Sequence, residues 1–164
     1  MPPAPLVEPL SIDTSRVIAD LETIRKINMQ RFEMEQLTAI VLADTVENLI
    51  IGYKDLAEDE FWVRGHMPGY PLMPGVLICE AAAQICSYYC HMINLVGPEA
   101  FVGFGGMEDV RFRGQVKPGD RLIIVAKAIK LHRRQTTFET QGFVEGNMVY
   151  HGRIIGVTLS SRDS

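Results

Sequence analysis

Apolar positions recur along this chain with two different periods, and a proline–glycine stretch separates the regions where each holds. In "SIDTSRVIADLETIRKI", Val17, Ile18, Leu21, Ile24 and Ile27 fall at helical spacing behind Asp13 or Thr14 as a cap, which predicts a helix over 11–27. "LTAIVLADTVENLIIGYKDL" then predicts two short strands around Glu47-Asn48, with a helix as the alternative reading of its first half. Pro68, Gly69, Pro71 and Pro74 forbid regular structure from His66 to about Met73. Pro74-Gly75 suits the first turn of a helix, and the pattern carries that helix to about Leu95, with Gly97-Pro98 as its stop. Apolar residues from Val76 to Tyr89 point in nearly every direction around it, the mark of a buried helix.

Past Gly106 the period shortens to two. "DVRFRGQV" alternates Val110, Phe112 and Val116 against Arg111, Arg113 and Gln115; "KPGD" makes a turn and "RLIIVAKAIKL" a long strand. "TTFETQGFVE" and "MVYHGRIIGVTL" flank Gly146-Asn147, a two-residue hairpin signal. One buried helix with an antiparallel sheet mostly after it in sequence is an α+β arrangement, and a sheet curled around the helix fits that inventory.

Composition sharpens this picture in a few places. The 164 residues, 47% hydrophobic and 22% charged, suit one globular domain over 1–164, and four prolines in the first ten residues predict a loose arm over 1–12. The longest apolar stretch, Gly75 to Val96, is broken by Glu80, Gln84, Ser87, His91 and Asn94, so no membrane span is expected. The start lacks a basic region leading into an apolar one, which makes a cytoplasmic location the default. Cys79, Cys86 and Cys90 cluster in one segment without a disulfide framework. Cys86, Cys90 and His91 lack a convincing fourth ligand, so no metal is expected and the thiols read as packing residues.

Charge is uneven. The net charge is −4, yet between Arg111 and Arg134 eight lysines and arginines face a single acid, Asp120. That window reads either as a solvated face or as a docking patch, carrying Arg111 and Arg113, for an acidic partner. Without interleaved aromatic residues or a reader motif, nucleic acid is the weaker choice.

Two ionisable residues stand out around the helix start. Glu80 lies among apolar neighbours, where a carboxylate must be paired, hydrogen-bonded or held protonated, unless it reaches water through a gap. Gln84 is one turn further along the same face. His66 lies in the restrained loop; alone it would read as an exposed turn histidine, but imidazole is the side chain suited to proton transfer near neutrality. The backbone N–H groups of Gly75 and Val76, unpaired in a first helical turn, offer a place for a developing oxyanion. Composition does not say whether these groups converge.

"GHMPGYPLMPGVLICEAAAQ" closely resembles the active-site signature of the bacterial 3-hydroxyacyl-acyl carrier protein dehydratases, G-H-F-P-G-x-P-x-M-P-G-V-L followed by two apolar residues, E and A-x-A-Q. Met67 replaces the usual phenylalanine, and "VRFRGQVKPGDRL" is similar to the family's later strand and turn. The resemblance implies the hotdog fold, a bent antiparallel sheet around one long helix, with no metal or organic cofactor. It implies that His66 removes the α-proton of a 3-hydroxyacyl thioester and that Glu80, from the partner subunit of a homodimer, protonates the departing hydroxyl. Gly75 and Val76 would hold the thioester oxygen and Gln84 would support Glu80. It further implies an acyl carrier protein as partner and assembly as dimers or trimers of dimers.

The sequence departs from that family in one segment. Where its members carry a run resembling L-P-H-R-x-P-F-L-L, this chain reads "INMQRFEMEQLTAIV", keeping only Arg31 and Phe32. The departure leaves open a specialised lipid or polyketide route. Two rival functions share the expected fold: a hotdog thioesterase and a non-catalytic acyl-binding subunit. Retention of both His66 and Glu80 favours dehydration over either.

Overall fold

The structure, a computed structural model, describes residues 1–160. Six strands, β1 (Ala39–Asp44), β2 (Leu49–Asp55), β3 (Ala100–Phe112), β4 (Arg121–Leu131), β5 (Gln135–Val144) and β6 (Asn147–Ser160), form one antiparallel sheet in the order β1-β2-β4-β5-β6-β3. The sheet bends around one long helix, α2 (Gly75–Met92), which gives the hotdog arrangement. Alternation along the strands sorts side chains to two faces. Ile50, Leu122, Ile124, Phe138, Tyr150 and Ile154 pack inward with Ile78, Ala82, Ile85 and Tyr89 of α2. Gly52 permits the closest approach: a Cβ there would meet Ala39 O at 2.7 Å and Ile85 Cδ1 at 3.0 Å.

The opposite face carries a second core of Val41, Ile51, Tyr53, Val125 and Phe143. The amino-terminal stretch, expected as a loose arm, lies against it. Leu6, Val7 and Ile12 pack there, and Gln141 clamps the backbone, accepting from Leu6 N at 2.8 Å and donating to Ala4 O at 3.0 Å. Apolar surface on an outer sheet face explains why this proline-rich segment is held.

The helix expected over 11–27 shrinks to α1 (Leu21–Arg25), capped by Asp20, whose Oδ1 accepts from Thr23 N at 2.9 Å. Sheet pairing takes the residues before it: Ala19 bridges Ile40, with Ile40 N donating to Ala19 O at 2.8 Å. Asp13 closes a local turn onto Ser15 instead of capping a helix. Tertiary pairing here overrides the helical pattern.

Three boundaries differ from expectation. α2 stops at Met92 because Asn94 adopts φ +56° and Leu95 N bonds back to Cys90 O at 3.0 Å, so the chain turns before Gly97. β3 begins at Ala100, ahead of the expected start, because Gly103, Gly105 and Gly106 mask its alternation. The last hairpin turns on Glu145-Gly146 (φ +49° and +79°), one residue earlier than the Gly146-Asn147 signal, with Val144 paired to Asn147. No helix among the described residues is long and apolar enough to cross a membrane.

Candidate active site

His66 is held by its own loop. Its N–H donates to Trp62 O at 2.8 Å, and Leu72 N donates to His66 O at 2.8 Å. The ring returns this contact, with Nδ1 2.7 Å from Leu72 O. A carbonyl oxygen only accepts, so Nδ1 carries the hydrogen and a neutral ring keeps the lone pair on Nε2. Gly69 at φ +76° and a reciprocal Met67–Tyr70 backbone pair (3.0 and 2.8 Å) complete the turn. Met73 N then bonds Val116 O at 2.8 Å, tying the loop to the segment after β3. The imidazole is exposed in the single chain, with its basic nitrogen unblocked.

α2 starts immediately after this loop. Leu77 N is the first donor to turn back, reaching Pro74 O at 2.9 Å, so the N–H groups of Gly75 and Val76 precede the intrahelical ladder. Among the described residues no side chain caps this end. The Phe112 ring lies over Gly75: a Cβ at that position would stand 2.7 to 2.9 Å from three ring carbons. Val76 is 68% exposed, so the helix start faces open space.

Glu80 and Gln84 lie along one face of α2. Gln84 is 3% exposed and fully engaged. Its Nε2 donates to Glu80 Oε1 at 2.9 Å and to Met34 O at 2.7 Å, while its Oε1 accepts from Gln36 N at 2.9 Å. Its backbone carbonyl accepts from Asn28 Nδ2 at 3.0 Å. The amide therefore fixes one carboxylate oxygen of Glu80 from a dry, saturated position. Glu80 and Gln84 border a cavity of about 490 Å³ between α2, β3, β6 and the 29–34 segment, with Phe101, Val102, Phe104, Ile154 and Ala83 among its apolar lining and Gln30 and Arg31 among its polar lining. That volume suits a small-molecule chain.

The structure thus brings Glu80 and Gln84 together and ties His66 to Leu72, three residues before the helix start that Gly75 and Val76 provide. Among the described residues, no hydrogen bond or ion pair joins His66 to Glu80 within the chain. Arg111 and Arg113 are exposed at the end of β3; Arg111 Nη1 donates to Val110 O at 2.8 Å and Arg113 Nη2 to Met1 O at 3.4 Å. Burial, then the positive charges of Arg113 and Arg111, hold the His151 imidazole below its usual range. Burial pushes the Cys90 thiol up to about 11 and also raises the Cys86 thiol well above its ordinary value, so both stay protonated at neutral pH.

Asn28, Met34 and Gln36 escape a reading of the sequence. Single polar residues in an irregular segment carry no period, and the only signal is that this segment departs from the dehydratase pattern.

A family model described as a FabA-like domain matches residues 28–153. The chain belongs to the FabA-like family. The 3-hydroxyacyl-[acyl-carrier-protein] dehydratase FabZ of Acinetobacter baylyi is 34% identical over 138 residues, 83% of this chain and 92% of that relative. FabZ of Streptococcus thermophilus is 33% identical over 138 residues, covering 82% and 94% respectively. Among solved structures, the dehydratase heterocomplex ApeI:P from Xenorhabdus doucetiae aligns with a TM-score of 0.71 at 15% identity over 85% of this chain and 92% of that one, a likeness of fold. The FabA-like match opens at Asn28, whose side chain reaches Gln84 O, and leaves the amino-terminal arm outside.

Proposed function

We propose that this protein is a 3-hydroxyacyl-[acyl-carrier-protein] dehydratase, a hydro-lyase that converts a 3-hydroxyacyl thioester into the trans-2-enoyl thioester and water. The observation that carries the reading is the tautomer of His66: with Nδ1–H committed to Leu72 O, Nε2 is poised as a base. Nε2 takes the α-proton. The N–H groups of Gly75 and Val76, aided by the helix dipole, hold the thioester oxygen as it gains enolate character. The C2–C3 double bond forms as the C3–O bond breaks, and Glu80 delivers the proton that leaves with the hydroxyl as water. Gln84 keeps Glu80 aimed.

In this reading His66 of one protomer works with Glu80 of its partner. Two features of the single chain support a shared site. Among the described residues β3, a 13-residue strand, pairs on one side only, with Phe104, Met107 and Phe112 44%, 50% and 50% exposed. A long free edge that exposes large apolar side chains is a pairing surface unless something covers it. Phe61, Met67, Tyr70 and Val76 leave more exposed apolar surface around the His66 loop. The homodimer, alone or as three dimers, would act in the cytoplasm on chains delivered by an acidic carrier protein that Arg111 and Arg113 help to dock.

The test is incubation of the purified protein with 3-hydroxydecanoyl thioester and mass analysis of the products. A thioester lighter by one water supports the dehydratase. Free thiol with intact 3-hydroxy acid would mark a thioesterase, and unchanged substrate that binds would mark an acyl-binding subunit.

A further inference from the structure

We propose that Ser87 selects acyl chains that carry a hydrogen-bonding oxygen (carbonyl, ether or hydroxyl) far from the thioester, an inference that rests on the dehydratase reading above, with the acyl chain lying in the cavity that Glu80 borders. Ser87 lies on the cavity-facing side of α2, on the same stripe as Glu80, Ala83 and Gln84. It is 8% exposed, and its hydroxyl has no hydrogen-bond partner among the described residues. The other hydroxyl on this wall, Thr136 Oγ1, is sealed from solvent beside the Cys90 thiol, whereas that of Ser87 keeps contact with the cavity.

The surroundings make this hydroxyl conspicuous. Phe101, Val102, Phe104 and Ile154 offer it no partner, and a purely hydrocarbon chain filling the cavity would leave it dry and unpaired. Such burial is unfavourable, so saturated chains bind at a cost that an oxygenated chain avoids. Serine keeps the wall narrow enough for a chain to pass while supplying both a donor and an acceptor.

Spacing sets the position of the matching oxygen. Glu80 and Ser87 are seven residues apart in α2, about 10 Å along a helix axis. An extended chain advances about 1.2 Å per bond, so an oxygen about eight bonds beyond the reacting carbon C3 comes level with Ser87.

The experiment compares 11-oxododecanoyl pantetheine with its 6-oxo isomer by titration calorimetry on the full-length protein. Neither compound has a 3-hydroxyl, so neither can be dehydrated, and the isomers match in size and polarity. Wild type is expected to bind the 11-oxo isomer about fivefold to tenfold more tightly, the value of one added hydrogen bond. Ser87→Ala should erase that preference and Ser87→Thr, which retains the hydroxyl, should keep it. Equal affinity for both isomers in wild type, or a preference that survives Ser87→Ala, would overturn the proposal. Because binding is read without turnover, a protein that keeps the isomer preference yet yields no enoyl product would refute the dehydratase reading alone.

Discussion

Gln84 donates through Nε2 to Oε1 of Glu80 at 2.9 Å, one turn away on α2, while the same Nε2 also donates to Met34 O and its Oε1 accepts from Gln36 N. The carboxylate is thus aimed by a side chain that has no freedom of its own. Gln84→Ala should lower kcat about 10- to 100-fold, as expected when a reacting group loses its alignment, with a much smaller change in KM. It should also cost on the order of 2 kcal/mol of stability, because Met34 O and Gln36 N lose a buried partner. Steady-state kinetics and a denaturant titration check both. A fall in stability with an unchanged kcat would reduce Gln84 to a packing residue.

Gly75 leads to a paired prediction. An added Cβ would crowd the Phe112 ring at 2.7 to 2.9 Å, and that ring is half exposed and able to move. Gly75→Ala should therefore fold but lose turnover, through displacement of Phe112 across the helix start. Phe112→Ala in the same chain should restore part of the loss if the clash is the cause. The readout is kcat/KM for the two single variants and the double variant.

The segment that carries Met34 and Gln36 is braced by charge, and this gives a pH dependence. Both oxygens of Glu35 accept from Arg25, at 2.7 and 3.0 Å. That hydrogen bonding to Arg25, more than anything else, holds the Glu35 carboxyl below its ordinary value, against the opposing effect of burial. A carboxyl depressed in the folded state contributes stability above its unfolded value, about 4.3, and loses that contribution as pH falls through the lower folded value. Glu35→Gln should thus melt below wild type at pH 7, with the gap closing below about pH 4. Thermal melts at several pH values measure it, and a gap independent of pH would contradict the assignment.

How much of this was legible beforehand differs from element to element. β4, β5 and β6 follow from alternation, and α2 from its all-round apolar surface behind Pro74. His66, Gly75, Val76, Glu80 and Gln84 stand out from their setting in the loop and the helix start, and the family resemblance supplies the roles that spacing alone does not. Three features were out of reach for physical reasons. The bridge of Ala19 to Ile40 is a long-range contact that no local pattern encodes. The glycines of β3 hide its period, and the docking of residues 1–12 depends on apolar surface presented by strands far away in sequence. Apart from Glu80 Oε1, the partners of the Gln84 amide are backbone groups, which any residue type can provide.

Charge reversal tests the docking patch. Arg111 and Arg113 are exposed and engage only carbonyl oxygens among the described residues, so their charges are open to an acidic partner. Replacing both with glutamate should raise KM for a carrier-bound substrate at low salt, and the difference should shrink as ionic strength shortens the screening length. An unchanged KM at low salt would remove the patch from carrier recognition.

The most direct measurement concerns where the two halves of the site come from. His66→Ala and Glu80→Gln chains, each expected to be nearly inactive as a pure protein, can be co-expressed with different tags and the mixed dimer isolated by both. One of its two sites would then join an intact His66 to an intact Glu80 across the subunit boundary, giving about half the wild-type turnover per dimer, as two-fold symmetry requires. A mixed dimer as inactive as its parents would contradict a site shared between protomers.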